Sequence, residues 1–216
     1  MAEPIKEQRG LFIVLDGVDG CGKSTQAELL CRSLGEGCEP GAQPLHLREP
    51  GSTELGERVR ALLLDRGLDL GAEVETLLFA AARRQMLDEL VAPALAGGRD
   101  VVCERFHPST FAYQAVAGGL DPEEVLGLLL TWANTPSPDL IVLLSTEVDL
   151  ATARRGQATD RIEDKGVEFQ RRVAEGYRIY AERDERVRTV DGARPIEEVA
   201  ADVVAAVEAV RGSVAP

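Results

Sequence analysis

Eight consecutive residues, Gly17-Val18-Asp19-Gly20-Cys21-Gly22-Lys23-Ser24, carry the most specific chemistry in this sequence. They fit the spacing G-x-x-x-x-G-K-[ST] of a phosphate-binding loop, the P-loop. Glycines at 17, 20 and 22 reach backbone conformations closed to other residues, so successive N–H groups can turn inward on phosphate oxygens. A helix starting near Lys23 adds its positive dipole end to the same place. Lys23 then supplies a full charge to the β- and γ-phosphates, and Ser24 offers a hydroxyl to Mg²⁺. The elements needed to hold such a loop flank it. Residues 11–15 form a short apolar run, which predicts a buried parallel strand. Residues 25–34, with Leu29, Leu30 and Leu34, predict the following helix.

Further candidates stand where later strands should end. Residues 45–47 predict a second strand, followed by Arg48-Glu49-Pro50-Gly51. Ligands of open parallel sheets bind outside the carboxyl ends of strands, so Arg48 is placed either to meet a phosphate or to sit at a surface turn. Residues 100–103 predict a third strand ending in Glu104-Arg105. That pair suits a water-mediated Mg²⁺ contact with a phosphate clamp, or a strand-end ion pair. Phe79 and Arg83, one helical turn apart, can stack a base and hold its edge, or can be core and surface neighbours. Residues 151–166, ATARRGQATDRIEDKG, hold Arg154, Arg155 and Arg161. They suit a mobile lid over phosphates or a solvated charged helix.

The elements between these residues alternate. Helices are predicted over 53–66, capped by Thr53 with Val59, Leu62 and Leu63 as its stripe, over 71–95 and over 109–117. Asp121-Pro122 is a strong helix start, leading into Val125, Leu128, Leu129 and Trp132 as core or subunit interface. Residues 140–144 and 188–190 predict the fourth and fifth strands, and 195–210 the last helix. Strands alternating with helices give an α/β class with a five-stranded parallel sheet and helices on both faces. The 216 residues suit a single domain.

Composition narrows the class. Net charge is −13, which argues against nucleic acid as a partner and requires any anion site to be a local basic cleft. No run approaches the roughly 20 apolar residues of a membrane helix. Met1–Gly10 is polar and leads straight into a strand, so no signal peptide is expected. Four cysteines without metal-type spacing are expected as reduced thiols of a cytoplasmic protein. His46 and His107 read as a strand and a loop residue without chemical roles.

The ordered set resembles the thymidylate kinase family of P-loop nucleoside monophosphate kinases. It comprises the P-loop with acidic Asp19, Arg48-Glu49-Pro50-Gly51, Leu78-Phe79 with Arg83, Ser109-Thr110, Ala112-Tyr113-Gln114 and Asp160-Arg161-Ile162-Glu163. The resemblance implies transfer of the γ-phosphoryl of ATP to dTMP, with Mg²⁺, in a homodimer. It implies ATP phosphates on Gly17, Val18, Asp19, Gly20, Cys21, Gly22, Lys23, Ser24 and Thr25, with Ser24, Asp19 and Glu104 toward the metal. On the acceptor side it implies Phe79 on the thymine face, with Arg83, Thr110 and Gln114 near the base. Arg48 and Arg105 would hold the phosphate. Asp19 would sit near the 3′-hydroxyl, with Tyr113 where a ribose 2′-hydroxyl would lie. Lys23, Arg105, Arg154, Arg155 and Arg161 are the implied catalytic residues. Members with a small residue at the position of Gly20 draw arginines from the lid, and this chain has both features. The family carries Asp-Arg where this chain has Glu104-Arg105, one methylene longer. A kinase of another deoxynucleoside monophosphate and a nucleotide switch without phosphotransfer remain the competing readings.

Overall fold

The computed structural model describes residues 9–39, 41–157 and 160–214. Among them a parallel sheet is built from β1 (Phe12–Asp16), β2 (Leu45–Arg48), β3 (Val101–Glu104), β4 (Leu140–Ser145) and β5 (Val187–Asp191), in the order β2-β3-β1-β4-β5. β1 is central: Ile13 pairs with Val102 on one side and Leu140 on the other. All five of its residues are buried, and since side chains alternate between faces, both faces of the sheet are covered.

The helices are α1 (Lys23–Leu34), α2 (Glu54–Leu64), α3 (Ala72–Met86), α4 (Ala92–Ala96), α5 (His107–Thr110), α6 (Pro122–Trp132), α7 (Val148–Arg155), α8 (Val167–Ala181) and α9 (Ile196–Val214). The expected start signals hold. Thr53 accepts the Gly56 N–H at 2.9 Å, and Asp121 accepts those of Glu123 and Glu124. The helix expected over 71–95 is interrupted by a wide π turn at Leu87–Val91. Pro93, which follows it, has no N–H to continue the ordinary ladder. A second π turn, Phe111–Val116, extends α5.

Two side-chain expectations change, those for Leu62 and His107, and the core alternative for Trp132 falls away. Leu62 and Trp132 are exposed, at 48% and 70%, so neither belongs to this chain's core. His107 is no loop residue: it heads α5, is buried, stacks on Phe106 and shares a 2.8 Å hydrogen bond with the Ala133 carbonyl. Burial pushes that imidazole well below its ordinary pKa. His46 also has a partner, described below.

The register brings Asp16, Arg48, Glu104 and the loops after them to one sheet edge. Asp16 organises that edge. It is fully buried, which is costly for a carboxylate unless donors surround it. Its Oδ1 accepts from Gly17 N–H (2.9 Å), Ser109 Oγ (2.7 Å) and Tyr177 OH (2.8 Å), and its Oδ2 from the N–H groups of Phe106 (3.0 Å) and Ser109 (3.1 Å). One side chain thus ties the phosphate loop, the turn after β3, and α8 together. Asp16→Ala strands these donors in a dry site. It should lower stability by about 3–5 kcal/mol, measured by urea unfolding; a loss under about 1 kcal/mol would show that Asp16 is not the organising contact.

Candidate active site

The loop after β1 opens a groove of about 880 Å³ lined by Gly20, Gly22, Lys23, Ser24, Thr25 and Arg154, among others. Gly22, at φ 100°, turns the chain into α1. Gly20 has φ 87°, and a Cβ there would come within 2.0 Å of the Ala151 carbonyl, so only glycine lets α7 approach the loop. The buried Lys23 donates its ammonium to the carbonyls of Gly17 and Val18, both at 2.9 Å. Val18 and Cys21 are buried beneath the loop.

Ser24 and Glu104 meet in this groove: the Ser24 hydroxyl donates to Glu104 Oε2 at 2.5 Å. His46 Nε2 lies 2.9 Å from the other oxygen of the same carboxylate. Burial pushes the Glu104 carboxyl up, but His46, Ser24 and Lys23 outweigh it and hold it below the usual range. Hydroxyl and carboxylate are the hard oxygen donors that Mg²⁺ prefers, and Mg²⁺ commonly keeps several waters beside one or two protein ligands. The pair therefore fits the ion, although no cluster of three or more His, Cys, Asp or Glu among the described residues could hold a metal by itself.

A second cavity, about 220 Å³, adjoins the groove and is lined by Phe79, Arg83, Thr110, Tyr113, Gln114 and Ile162, among others. Arg83 is not a surface residue. It is buried, with Nε on Glu49 Oε2 at 2.7 Å, Nη2 on Thr110 Oγ1 at 3.1 Å, and its guanidinium 4.8 Å above the Phe106 ring. Burial pushes the Glu49 carboxyl up to about 7, with Arg83 pulling the other way.

Asp19, Glu49, Arg60 and Arg105 line both cavities. Arg105 has φ 71°, a left-handed conformation a side-chain-bearing residue rarely adopts. The strained backbone carries its guanidinium onto Asp19, with Ser109 Oγ at 3.1 Å and the Tyr113 ring 5.5 Å away. Tyr113 OH donates to Asp19 Oδ2 at 2.8 Å. Burial pushes the Asp19 carboxyl up, yet Arg105, Lys23 and Tyr113 overcome it and hold it at about 2. Asp19 is thus engaged with Arg105 and Tyr113 while Ser24 pairs with Glu104. Arg48 lines the groove but not the smaller cavity and reaches Glu57 at 3.4 Å.

The segment expected as a lid divides. Residues 151–155 finish α7, 163–165 form one 3₁₀ turn, and 158–159 lie outside the described residues. Arg154 lines the groove, donating to the carbonyls of Gly192 (2.7 Å) and Ala193 (3.3 Å). Arg155 lies beside Gly20. Arg161 points elsewhere: it reaches the buried Glu75 at 2.8 Å and the Leu63 carbonyl at 3.0 Å. Lys165 also meets Glu75, and Asp164 meets Arg66, so this half of the segment is fastened to α2 and α3.

Sequence reasoning passed over Asp16, His46, Glu49, Arg60 and Glu75 as site residues. Arg60 is half-buried at the junction and donates to the Pro50 carbonyl at 3.1 Å. Its helix position alone looks solvated; its spacing from the loop after β2 is the one available signal.

A P-loop beside a second, aromatic-walled and arginine-bearing pocket defines a nucleotide phosphotransferase. The thymidylate kinase family model matches residues 15–203. The chain is 42% identical to a thymidylate kinase of Leifsonia xyli subsp. xyli over 90% of this chain and 92% of that one. It is 40% identical to one of Caldanaerobacter subterraneus subsp. tengcongensis over 93% and 96%, and 37% identical to one of Fervidobacterium nodosum over 90% and 96%. The chain belongs to the thymidylate kinase family.

The Asp19–Arg105 pair has a pH signature. A carboxylate held near 2 when folded, against 3.8 ordinarily, contributes stability that is present above about pH 4 and is lost as pH falls toward 2. Arg105→Ala removes the largest of the attractions behind that contribution. Its destabilisation, read from urea unfolding, should be larger at pH 6 than at pH 3 by at least about 1 kcal/mol; equal values at both pH would show that the pair is not coupled.

Proposed function

We propose that this protein transfers the γ-phosphoryl group of ATP to the 5′-phosphate of dTMP, giving dTDP and ADP. The observation that carries this reading is the shared wall of the two cavities, Asp19, Glu49, Arg60 and Arg105. A donor in the P-loop groove and an acceptor in the smaller pocket would meet there. A nucleotide switch has no need of the second pocket.

Gly17 to Thr25 cradle the triphosphate through backbone N–H groups, and Lys23 exchanges the Gly17 and Val18 carbonyls for phosphate oxygens. Ser24 and Glu104 would hold Mg²⁺, which neutralises charge on the β- and γ-phosphates when bound. Arg48, Arg60 and Arg105 gather around the acceptor phosphate. Phe79 supplies a face for the base, Arg83 and Gln114 an edge, and Tyr113 a ring at the sugar, fixed by its bond to Asp19. Arg154 and Arg155 stand nearest the P-loop and are the candidates for stabilising transferred charge. Arg161, held on Glu75 and the Leu63 carbonyl, fastens the lid segment. The acceptor oxygen is already ionised, so no general base is required, and catalysis is positioning and charge stabilisation.

A homodimer is supported by exposed apolar side chains on neighbouring helices: Leu55 and Leu62 of α2, Val74 and Leu77 of α3, and Leu130 and Trp132 of α6. Sedimentation at twice the chain mass would agree with it, and at one chain mass would exclude it. Free thiols at all four cysteines support a cytoplasmic setting, and no described helix is long and apolar enough to cross a membrane.

The decisive assay is coupled ADP release with ATP and dTMP, dUMP, dCMP or dGMP. ADP should form with dTMP, one for each dTDP. Lys23→Ala should lose at least about 10³-fold in kcat, the scale on which a lost transition-state charge acts in phosphoryl transfer. ATP hydrolysis indifferent to dTMP, or wild-type turnover by Lys23→Ala, would contradict the proposal.

A further inference from the structure

Glu75 occupies a first-turn position of α3, where acidic residues commonly face the helix dipole from solvent. Here it is wholly buried. Three side chains converge on its carboxylate: Gln114 Nε2 donates to Oε2 at 2.8 Å, while Arg161 and Lys165 reach Oε1 at 2.8 and 3.1 Å. Burial pushes the carboxyl up, but these donors outweigh it and hold it below the usual range, so it stays ionised.

An ionised carboxylate accepts hydrogen bonds and cannot donate them. It therefore fixes which end of the Gln114 amide faces it, namely the NH₂. The atom left over, Gln114 Oε1, is buried without a hydrogen-bond partner among the described residues. Arg83 is in the same position: Nε and Nη2 are used by Glu49 and Thr110, and Nη1 is buried without a partner. Both residues line the smaller cavity. Buried polar atoms left unpaired are costly, and a ligand that pairs them is favoured.

The two unpaired atoms, one an acceptor and one a donor, thus belong to residues of the cavity wall. A pyrimidine edge with a ring N–H beside a carbonyl oxygen, as in thymine and uracil, satisfies both. Cytosine presents a ring nitrogen acceptor beside an amino donor, the reverse order, and would set acceptor against acceptor. A free glutamine amide could turn over and read either edge, because its two ends are nearly the same shape. We propose that Glu75 is the positioning residue for base choice: by holding the Gln114 amide in one sense, it makes the pocket take a keto pyrimidine and refuse an amino one. The inference rests on the dTMP kinase reading and adds the residue that sets its selectivity.

The test compares kcat/KM for dTMP and dCMP. Glu75→Gln keeps the shape but lets the amide at 114 turn, and Glu75→Asp keeps the charge but withdraws the carboxylate by one methylene. Both should lower the dTMP preference, by about 5- to 150-fold for Glu75→Gln, through the KM for dTMP, with the KM for ATP unchanged. In a Gln114→Ala background, Glu75→Gln should change the preference no further. Lys165→Met leaves the Gln114 bond in place and should keep the preference. An unchanged preference in both Glu75 variants, with melting curves showing them folded, overturns the proposal, as does Lys165→Met reproducing the whole loss. A wild-type protein that turns over no dTMP instead overturns the functional reading, so the two failures are separable.

Discussion

A buried carboxylate at the end of the central strand is the constraint on which the site depends. Asp16 follows four fully buried apolar residues, so burial of β1 drives it into the interior, where it must find donors. The donors within reach are the first N–H of the phosphate loop, the turn after β3 and the Tyr177 hydroxyl of α8. Satisfying one residue therefore sets the loop that would receive the donor phosphates against the turn that carries Arg105. The hydrophobic core and the active-site geometry are linked through this side chain, and Arg105 is held in its left-handed conformation beside it.

The same device recurs for cations. The chain has net charge −13, yet its cavities must hold polyanions. Three arginines of this region are accompanied by carboxylates: Arg105 by Asp19, Arg83 by Glu49, Arg161 by Glu75. A buried ion pair contributes little net stability, because desolvation offsets attraction, but removing one partner is costly. The benefit is geometric. Each guanidinium is fixed before a ligand arrives, and its remaining donors, such as Nη1 of Arg83, are left for the ligand.

The phosphate loop and the strand end that carries Glu104-Arg105 were legible because motif spacing and strand ends are local signals. The parallel sheet was legible from its apolar runs. Asp16 was not: a single aspartate between an apolar run and a glycine looks like turn chemistry, and its donors lie up to 161 residues away. Glu75 and Arg60 look like solvated helix residues until α2, α3 and the lid segment pack together. Sequence spacing favoured Arg83 as a surface neighbour of Phe79 until the family resemblance drew it into the site, and the fold buries it. The π turns after Met86 and Thr110 depend on hydrogen-bond alignment that the apolar period does not record. Trp132 fits the helical stripe of α6 but faces outward.

The central claim is that donor and acceptor meet across one shared wall, with no protein nucleophile between them, so the phosphoryl group moves once and in line. The most direct measurement is the stereochemical course at phosphorus, using ATP made chiral at the γ-position with sulfur and oxygen isotopes and dTMP as acceptor. A single in-line displacement predicts inversion of configuration in the dTDP product. Retention would mean two displacements through an enzyme-bound phosphoryl group and would contradict the account.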